Sequence, residues 1–296
     1  MIPLSRRLFS RIALAYIPFC CFTTARLCHA AGTLAIVEAG VEQSEDTPFV
    51  RPGYEFLPGD YLYFTFQIAG FAVRSENRGE TQKISLTYDV TPQDSTGVAL
   101  TPPVSGTIDV ELNSEDKDWL PKRSVSFLLP SFVPAADFRV HVHVNDTFGK
   151  NEISQDVPFR IGGIEIQPAH TISVQNFQFF RSEQDQEPLR ISAYSPGDAV
   201  FVRFYMTGFK TDPQKQNQYH LSYGLTVTRP DGKIFLDKPN ASELQGDSFY
   251  PARYIPGVLN LKTAADALRG EYIVVLTVRD SLANTSAQFK AAFTVE

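Results

Sequence analysis

The chain has 296 residues, with 27 basic and 33 acidic side chains, a formal charge of −6, and 43% hydrophobic and 12% aromatic residues. Its three cysteines, Cys20, Cys21 and Cys28, all lie in the first thirty residues. The remainder can therefore form no disulfide and offers no thiol nucleophile or thiolate ligand.

Residues 1–30 read as a secretory signal peptide. Arg6, Arg7 and Arg11 form a basic start, Ile12 to Ala25 is mostly apolar, and Cys28-His29-Ala30 offers small residues for cleavage before Ala31. Ser5-Arg6-Arg7-Leu8-Phe9 is similar to the S-R-R-x-F pattern of twin-arginine export signals; an ordinary secretory signal fits as well. Arg26 among the residues before Cys28 does not suit a lipoprotein signal. Setting aside the four arginines of this segment leaves 23 basic against 33 acidic residues, a formal charge of −10. That balance argues against nucleic acid and anionic membranes as partners. No later apolar stretch reaches membrane-spanning length.

From residue 31 onward the signal is strict apolar alternation, which predicts half-buried antiparallel strands. Pro58-Gly59-Asp60 is a turn that launches a strand with Leu62, Phe64, Phe66 and Ile68 inward. Ile84, Leu86, Tyr88 and Val90 form a second strand, closed by a loose turn at 92–97. Phe138, Val140, Val142 and Val144 form a third, ending at Asp146. A short join at 163–169 follows. Phe177, Phe179 and Phe180 then read as a buried first strand, and Pro196-Gly197-Asp198 launches Val200, Val202, Phe204 and Met206. Leu221, Tyr223, Leu225 and Val227 match Ile84, Leu86, Tyr88 and Val90 in that order and enter a tight turn at Arg229–Lys233. Lys262–Leu268 is the clearest helix-like stretch, a turn or two long, and Tyr272, Val274, Leu276 and Val278 echo the third strand.

These elements are one unit written twice. The Pro-Gly-Asp turns, Leu34 with Ile172 and Ser44-Glu45 with Ser182-Glu183 recur at an offset of 138, and the closing strands recur at 134. The reading is an all-β chain of two tandem antiparallel β-sandwiches: signal peptide 1–30, first repeat 31–162, linker 163–169 and second repeat 170–296.

The Pro-Gly-Asp turns with their alternating apolars, Val227-Thr228-Arg229-Pro230-Asp231-Gly232-Lys233, and Gly270-Glu271-Tyr272 through Asp280 resemble immunoglobulin-like or macroglobulin-type sandwich modules of bacterial extracytoplasmic proteins. The first repeat departs at Ala136-Asp137-Phe138. The resemblance implies a fold and no catalytic residues. The cysteine pair of antibody domains and the cysteine of a thioester segment are missing, and Trp119 is the lone tryptophan.

Candidate contact residues are aromatic. Phe249, Tyr250, Arg253 and Tyr254 share one loop, and aromatics with arginine dominate binding hot spots. Trp119 with Leu120-Pro121 occupies a similar place in the first repeat and could anchor a sugar or protein. The plainer reading is that these side chains cap the open ends of the sandwiches. His141 and His143 share a strand face but lack further ligands for zinc. Asp146 and Asp280 close equivalent strands, where they either bond their own turns or contribute to a calcium site that lacks enough oxygens nearby. The acidic runs at 42–46, 115–118 and 183–187 read as solvated loops, or as holders of a cation or a basic partner. No nucleophile, zinc-protease or phosphate-loop motif occurs. The expectation is an exported, periplasmic or extracellular, non-catalytic module, without metal or cofactor, binding a protein or glycan of the cell envelope. A carbohydrate-binding module and a carboxylate-dependent hydrolase are the alternatives.

Overall fold

The computed structural model describes residues 33–76, 81–113, 116 and 119–296. The signal segment and Glu115, Lys117 and Asp118 of the acidic run lie outside the described residues. From Gly32 to Glu296 the chain is a single compact unit. It is all-β, with no α-helix among the described residues. Nine strands come first: β1 (Ala35–Glu42), β2 (Glu55–Phe56), β3 (Tyr61–Ala69), β4 (Arg74–Glu76), β5 (Thr81–Gln93), β6 (Val104–Leu112), β7 (Lys122–Leu128), β8 (Ala136–Asp146) and β9 (Asn151–Ile161). They make a sheet β1-β3-β7 and a sheet β2-β9-β8-β5, with β4 and β6 both on β5. Eight more follow: β10 (Ser173–Phe180), β11 (Ala193–Tyr194), β12 (Ala199–Thr207), β13 (Tyr219–Thr228), β14 (Ile234–Gly246), β15 (Tyr254–Lys262), β16 (Gly270–Asp280) and β17 (Thr285–Val295). Their sheets are β10-β12-β15 and β11-β17-β16-β13-β14. Apart from β4, which has no counterpart among the described strands of the second half, the two strand orders are the same, and they are the immunoglobulin-like arrangement of two facing antiparallel sheets. Among the described residues, only β2 and β11 run parallel to a neighbour, on β9 and β17.

The repeat explains the local chemistry. In Leu57–Asp60 and Ser195–Asp198, glycine sits at φ 88° and 90°, the position of a type II turn that a β-carbon disfavours. Asp60 and Asp198 each accept the amide three residues back at 2.8 Å. β1 and β10 carry the same bulge, with Glu38 and Asn176 at φ 47° and 51°. The bulge shifts the inward face, so that Phe177 and Phe179 follow Val174 into the core, while Phe180 on the other face is covered by Arg203. Asp146 and Asp280 are 0% and 2% exposed, and three amides saturate each carboxylate: Ala72, Phe148 and Gly149 for the first, Lys210, Leu282 and Ala283 for the second. Each aspartate therefore ties its own hairpin turn to the loop that leaves β3 or β12.

The structure corrects two expectations. Leu86, not Ile84, corresponds to Leu221. Both face the terminal aspartate of the neighbouring strand, and the carbonyls of Ser85 and His220 accept the amides of Thr147 and Ser281. The sequence alignment slipped by two, which preserves the inward face because the strand period is two. Residues 262–268 form no helix. Lys262 ends β15, buried Thr263 bonds Gly197 and Asp198, and the segment then makes one turn closed by Ala267 N to Ala264 O.

Candidate functional site

The loop Phe249–Tyr254 does not stand free. It runs against the base of the first sandwich, where β5 and β7 end. Tyr250 is 4% exposed and belongs to the core of the first sandwich, although its own strand neighbours lie in the second. Phe132, beyond β7, packs in return on the second core, with its ring 6.1 Å from that of Tyr254. The Arg253 amide donates to the Phe132 carbonyl at 3.1 Å. The junction is thus an exchange of aromatic side chains stitched by backbone.

One buried carboxylate organises it. Asp94, 7% exposed, accepts from the amides of Thr96 and Val98 at 2.9 and 3.0 Å and from the Thr96 hydroxyl at 2.7 Å. Its other oxygen accepts from the Tyr250 hydroxyl at 3.1 Å and lies 3.5 Å from Arg253. The Arg253 guanidinium sits 5.2 Å from the Tyr250 ring centroid. Burial raises the Asp94 pKa, but the hydrogen bonds from Thr96, Val98 and Tyr250 outweigh it and hold the carboxyl below its ordinary value. Burial pushes the Tyr250 hydroxyl up, with Arg253 opposing, and burial also raises Tyr254. Neither the acid nor the tyrosines change charge between about pH 5 and 9.

The rest of the loop is held from behind. Asp212 caps a short 3-10 turn at Pro213–Lys215. Gln216 and Asn217 follow in the left-handed region, and Asn217 donates its amide to the carbonyls of Phe249 at 2.7 Å and Ser248 at 3.2 Å. That leaves the Phe249 ring 50% exposed on the rim of a cleft of about 500 Å³. The first sandwich contributes Leu100, Pro102, Leu129 and Phe132 to the cleft, and the second contributes Tyr219 and Phe249. A second cleft of about 560 Å³ opens on the other side of the loop and is lined by Asp94, Asp137, His170 and Arg253 among others.

The five residues singled out from the sequence fare differently. Phe249 is on the cleft rim. Arg253 is half exposed but engaged with Asp94 and Tyr250. Tyr250 and Tyr254, both 4% exposed, are interior, and the expectation that they present a contact surface is corrected accordingly. Trp119 is 38% exposed but lies before β7, at the opposite end of that strand from Phe132. The offset between β7 and β15 sets Trp119 against Arg253 and Leu120 against Tyr254. Sequence reasoning missed Asp94, which carried no signal beyond a turn and meets Tyr250 across 156 residues.

Other candidates resolve into local contacts. His141 Nδ1 is 2.7 Å from Asp156, and His143 Nδ1 is 2.9 Å from Ser154, on the outer face. The two carboxylates of the second cleft are both committed, Asp94 as above and Asp137 to Arg160 at 2.9 Å. Asp94 is held below its ordinary value, the opposite of what a general acid needs.

No protein-family model matches the chain, and no curated protein matches its sequence. Among solved structures, the C-terminal domain of the Streptococcus pyogenes antigen I/II-family protein AspA aligns over 87% of this chain and 99% of its own, at 12% identity and a TM-score of 0.29. The C-terminal domain of the Streptococcus agalactiae AgI/II polypeptide BspA aligns over 87% and 99%, at 11% identity and a TM-score of 0.27. Likeness at this level carries no argument about function.

Proposed function

We propose that the protein is an exported, non-catalytic binding module of the cell envelope and that the cleft beside Phe249 receives an apolar segment of a protein partner. The observation that carries this reading is the construction of the cleft. Apolar side chains from both sandwiches line it beside Thr101, Ser126, Asp247 and Ser248, and buried Asp94 and Tyr250, half-exposed Arg253 and the Asn217 clamp hold the loop that forms one wall. A preformed apolar concavity with an exposed aromatic on its rim is the usual form of a hot spot. The absence of a thiol from residues 31–296 and the engaged carboxylates of the second cleft support a non-catalytic role. A glycan-binding role is the second reading, favoured by Trp119 at the far end of the first sandwich.

Capture from envelope and polysaccharide fractions of the source organism tests both readings. A protein partner retained by the wild type and lost with Phe249→Ala supports the cleft. Retention on polysaccharide alone, lost with Trp119→Ala, replaces it with the glycan reading. Retention unchanged by both substitutions refutes both.

A further inference from the structure

The two repeats treat one position on the outer sheet face differently. In the second, Arg203 of β12 lays its guanidinium 4.3 Å from the Phe180 ring centroid. It donates through Nη1 to the Asp185 carbonyl at 2.7 Å and through Nη2 to the Glu183 carbonyl. A planar cation thus fills a niche between the sheet and the loop that follows the first strand. The register of β1 with β3 matches that of β10 with β12, so Thr65 occupies the place of Arg203 and Glu42 that of Phe180.

The first repeat therefore has the niche without its cation. A cavity of about 270 Å³ is left there, lined by Glu38, Glu42, Thr47, Phe49, Gln67 and Lys122 among others. Glu42 is only 3% exposed, and its Oε2 is buried without a hydrogen-bond partner. An unpaired buried carboxylate is costly, so a cation at this point would be strongly favoured. The turn at Ser44–Thr47 repeats that at Ser182–Asp185, with Thr47 in the capping role of Asp185. Among the described residues, the carbonyls of Glu45 and Thr47, equivalent to those that hold Arg203, accept no hydrogen bond. Glu38 is bonded by Gln67, and Lys122 is drawn off by Asp46 at 3.4 Å, so the niche keeps a net negative charge.

We propose that this niche is a receptor for a guanidinium group, the side chain of an arginine carried by a partner, which takes the place that Arg203 fills internally in the second repeat. The group donates its forked N–H bonds to the carbonyls of Glu45 and Thr47 and pairs with Glu42. Guanidinium suits this better than ammonium, because its planar fork reaches two carbonyls and a carboxylate at once. The movable wall is Phe49, whose ring rests on Gly40 and is 45% exposed. Its rotation opens the way to Oε2. The site lies apart from the junction cleft, and its test is independent of that reading.

The test is an NMR titration of the protein with Nα-acetylarginine amide, read at the amides of Gly40, Thr47 and Thr65, against the uncharged citrulline analogue. Saturable shifts with the arginine compound alone are expected. Glu42→Gln should raise Kd about tenfold or more, the worth of a hydrogen bond to a charged group. Thr65→Arg should fill the niche from within and abolish the response while the chain keeps its wild-type thermal midpoint. Free arginine, run in parallel, separates the sources. An equal response to both forms assigns the site to a side chain on a protein, and a response to free arginine alone assigns it to a small guanidino compound. Equal shifts with citrulline, an unchanged Kd in Glu42→Gln, or an undiminished response in folded Thr65→Arg overturns the proposal. If Thr65→Arg fails to fold, Glu42→Gln decides.

Discussion

Tyr250→Phe isolates one hydroxyl at the junction and makes a sharp test of its design. The ring stays in the first core, so no cavity opens, and only the bonds to Asp94 and from Arg253 are lost. A hydrogen bond to a charged group is worth about 1.5–3 kcal/mol. Asp94 keeps its bonds from Thr96 and Val98 and its contact with Arg253, which places the expected loss near the lower end. At about 2–4 °C per kcal/mol for a chain of this size, the thermal midpoint should fall by about 3–6 °C at pH 7. The pH dependence sharpens the test. The folded pKa of Asp94 is depressed, so its contribution to stability is present above the unfolded value of about 3.9 and is lost as pH falls through the folded one. The Tyr250 hydroxyl is one cause of that depression, so the gap between wild type and Tyr250→Phe should narrow on acidification below about pH 4. Calorimetry at pH 7 and at low pH measures both midpoints. Coincident midpoints at pH 7, or a gap that does not narrow in acid, would refute the assignment of Asp94 as the organiser of the junction.

Three further outcomes are expected. Asp280→Ala orphans three amides, two in the turn after β16 and Lys210 in the loop that leaves β12, and urea denaturation should show a loss of about 3 kcal/mol or more with an unchanged m-value; Asp146→Ala should behave alike. In Gly224→Ala the new methyl would lie 2.0 Å from the Pro239 carbonyl oxygen, so β13 and β14 must part locally, at a cost of about 1–3 kcal/mol by thermal denaturation. Phe249→Ala and Trp119→Ala should each cost about 1–2 kcal/mol, since Phe249 is 50% and Trp119 38% exposed, and a far-UV spectrum that matches wild type makes any binding they lose in a capture assay a direct effect.

Much of the fold was legible because its signal is local. Period-two alternation marks β3, β8, β12 and β16, and the Pro-Gly-Asp turns announce β3 and β12 within three residues. Alternation cannot fix register, however. Leu221 fits Ile84 or Leu86 equally well by pattern, and only the hydrogen bonds of Ser85 and His220 decide. The site was legible in part. Phe249, Tyr250 and Tyr254 are all aromatic, yet only Phe249 is exposed and the two tyrosines are buried. Their burial depends on Asp94 and Phe132, partners brought in by the chain's long-range packing and invisible to any local pattern. Glu42 looked like one acid in a solvated run. Its burial follows from the loop that folds back over β1, with Thr47 and Phe49 beside it and Phe49 set against Gly40.

A duplicated scaffold separates fold from function by subtraction. Positions that agree in both repeats carry structure: the Pro-Gly-Asp turns and the buried aspartates make the same bonds twice. Positions that reverse in chemistry while the backbone holds still need another cause. At the turn closed by Gly97 in one repeat and Gly232 in the other, Asp94 faces Arg229 across the alignment. Asp94 reaches out to Tyr250 and Arg253, whereas Arg229 closes on Asp231 of its own turn at 2.8 Å. That exchange tracks a contact made by one repeat and not by the other. Thr65 and Arg203, with Glu42 and Phe180, are the second such reversal, and here the first repeat is left with the unpaired carboxylate. By the logic that explains Asp94, the partner of Glu42 lies outside the chain.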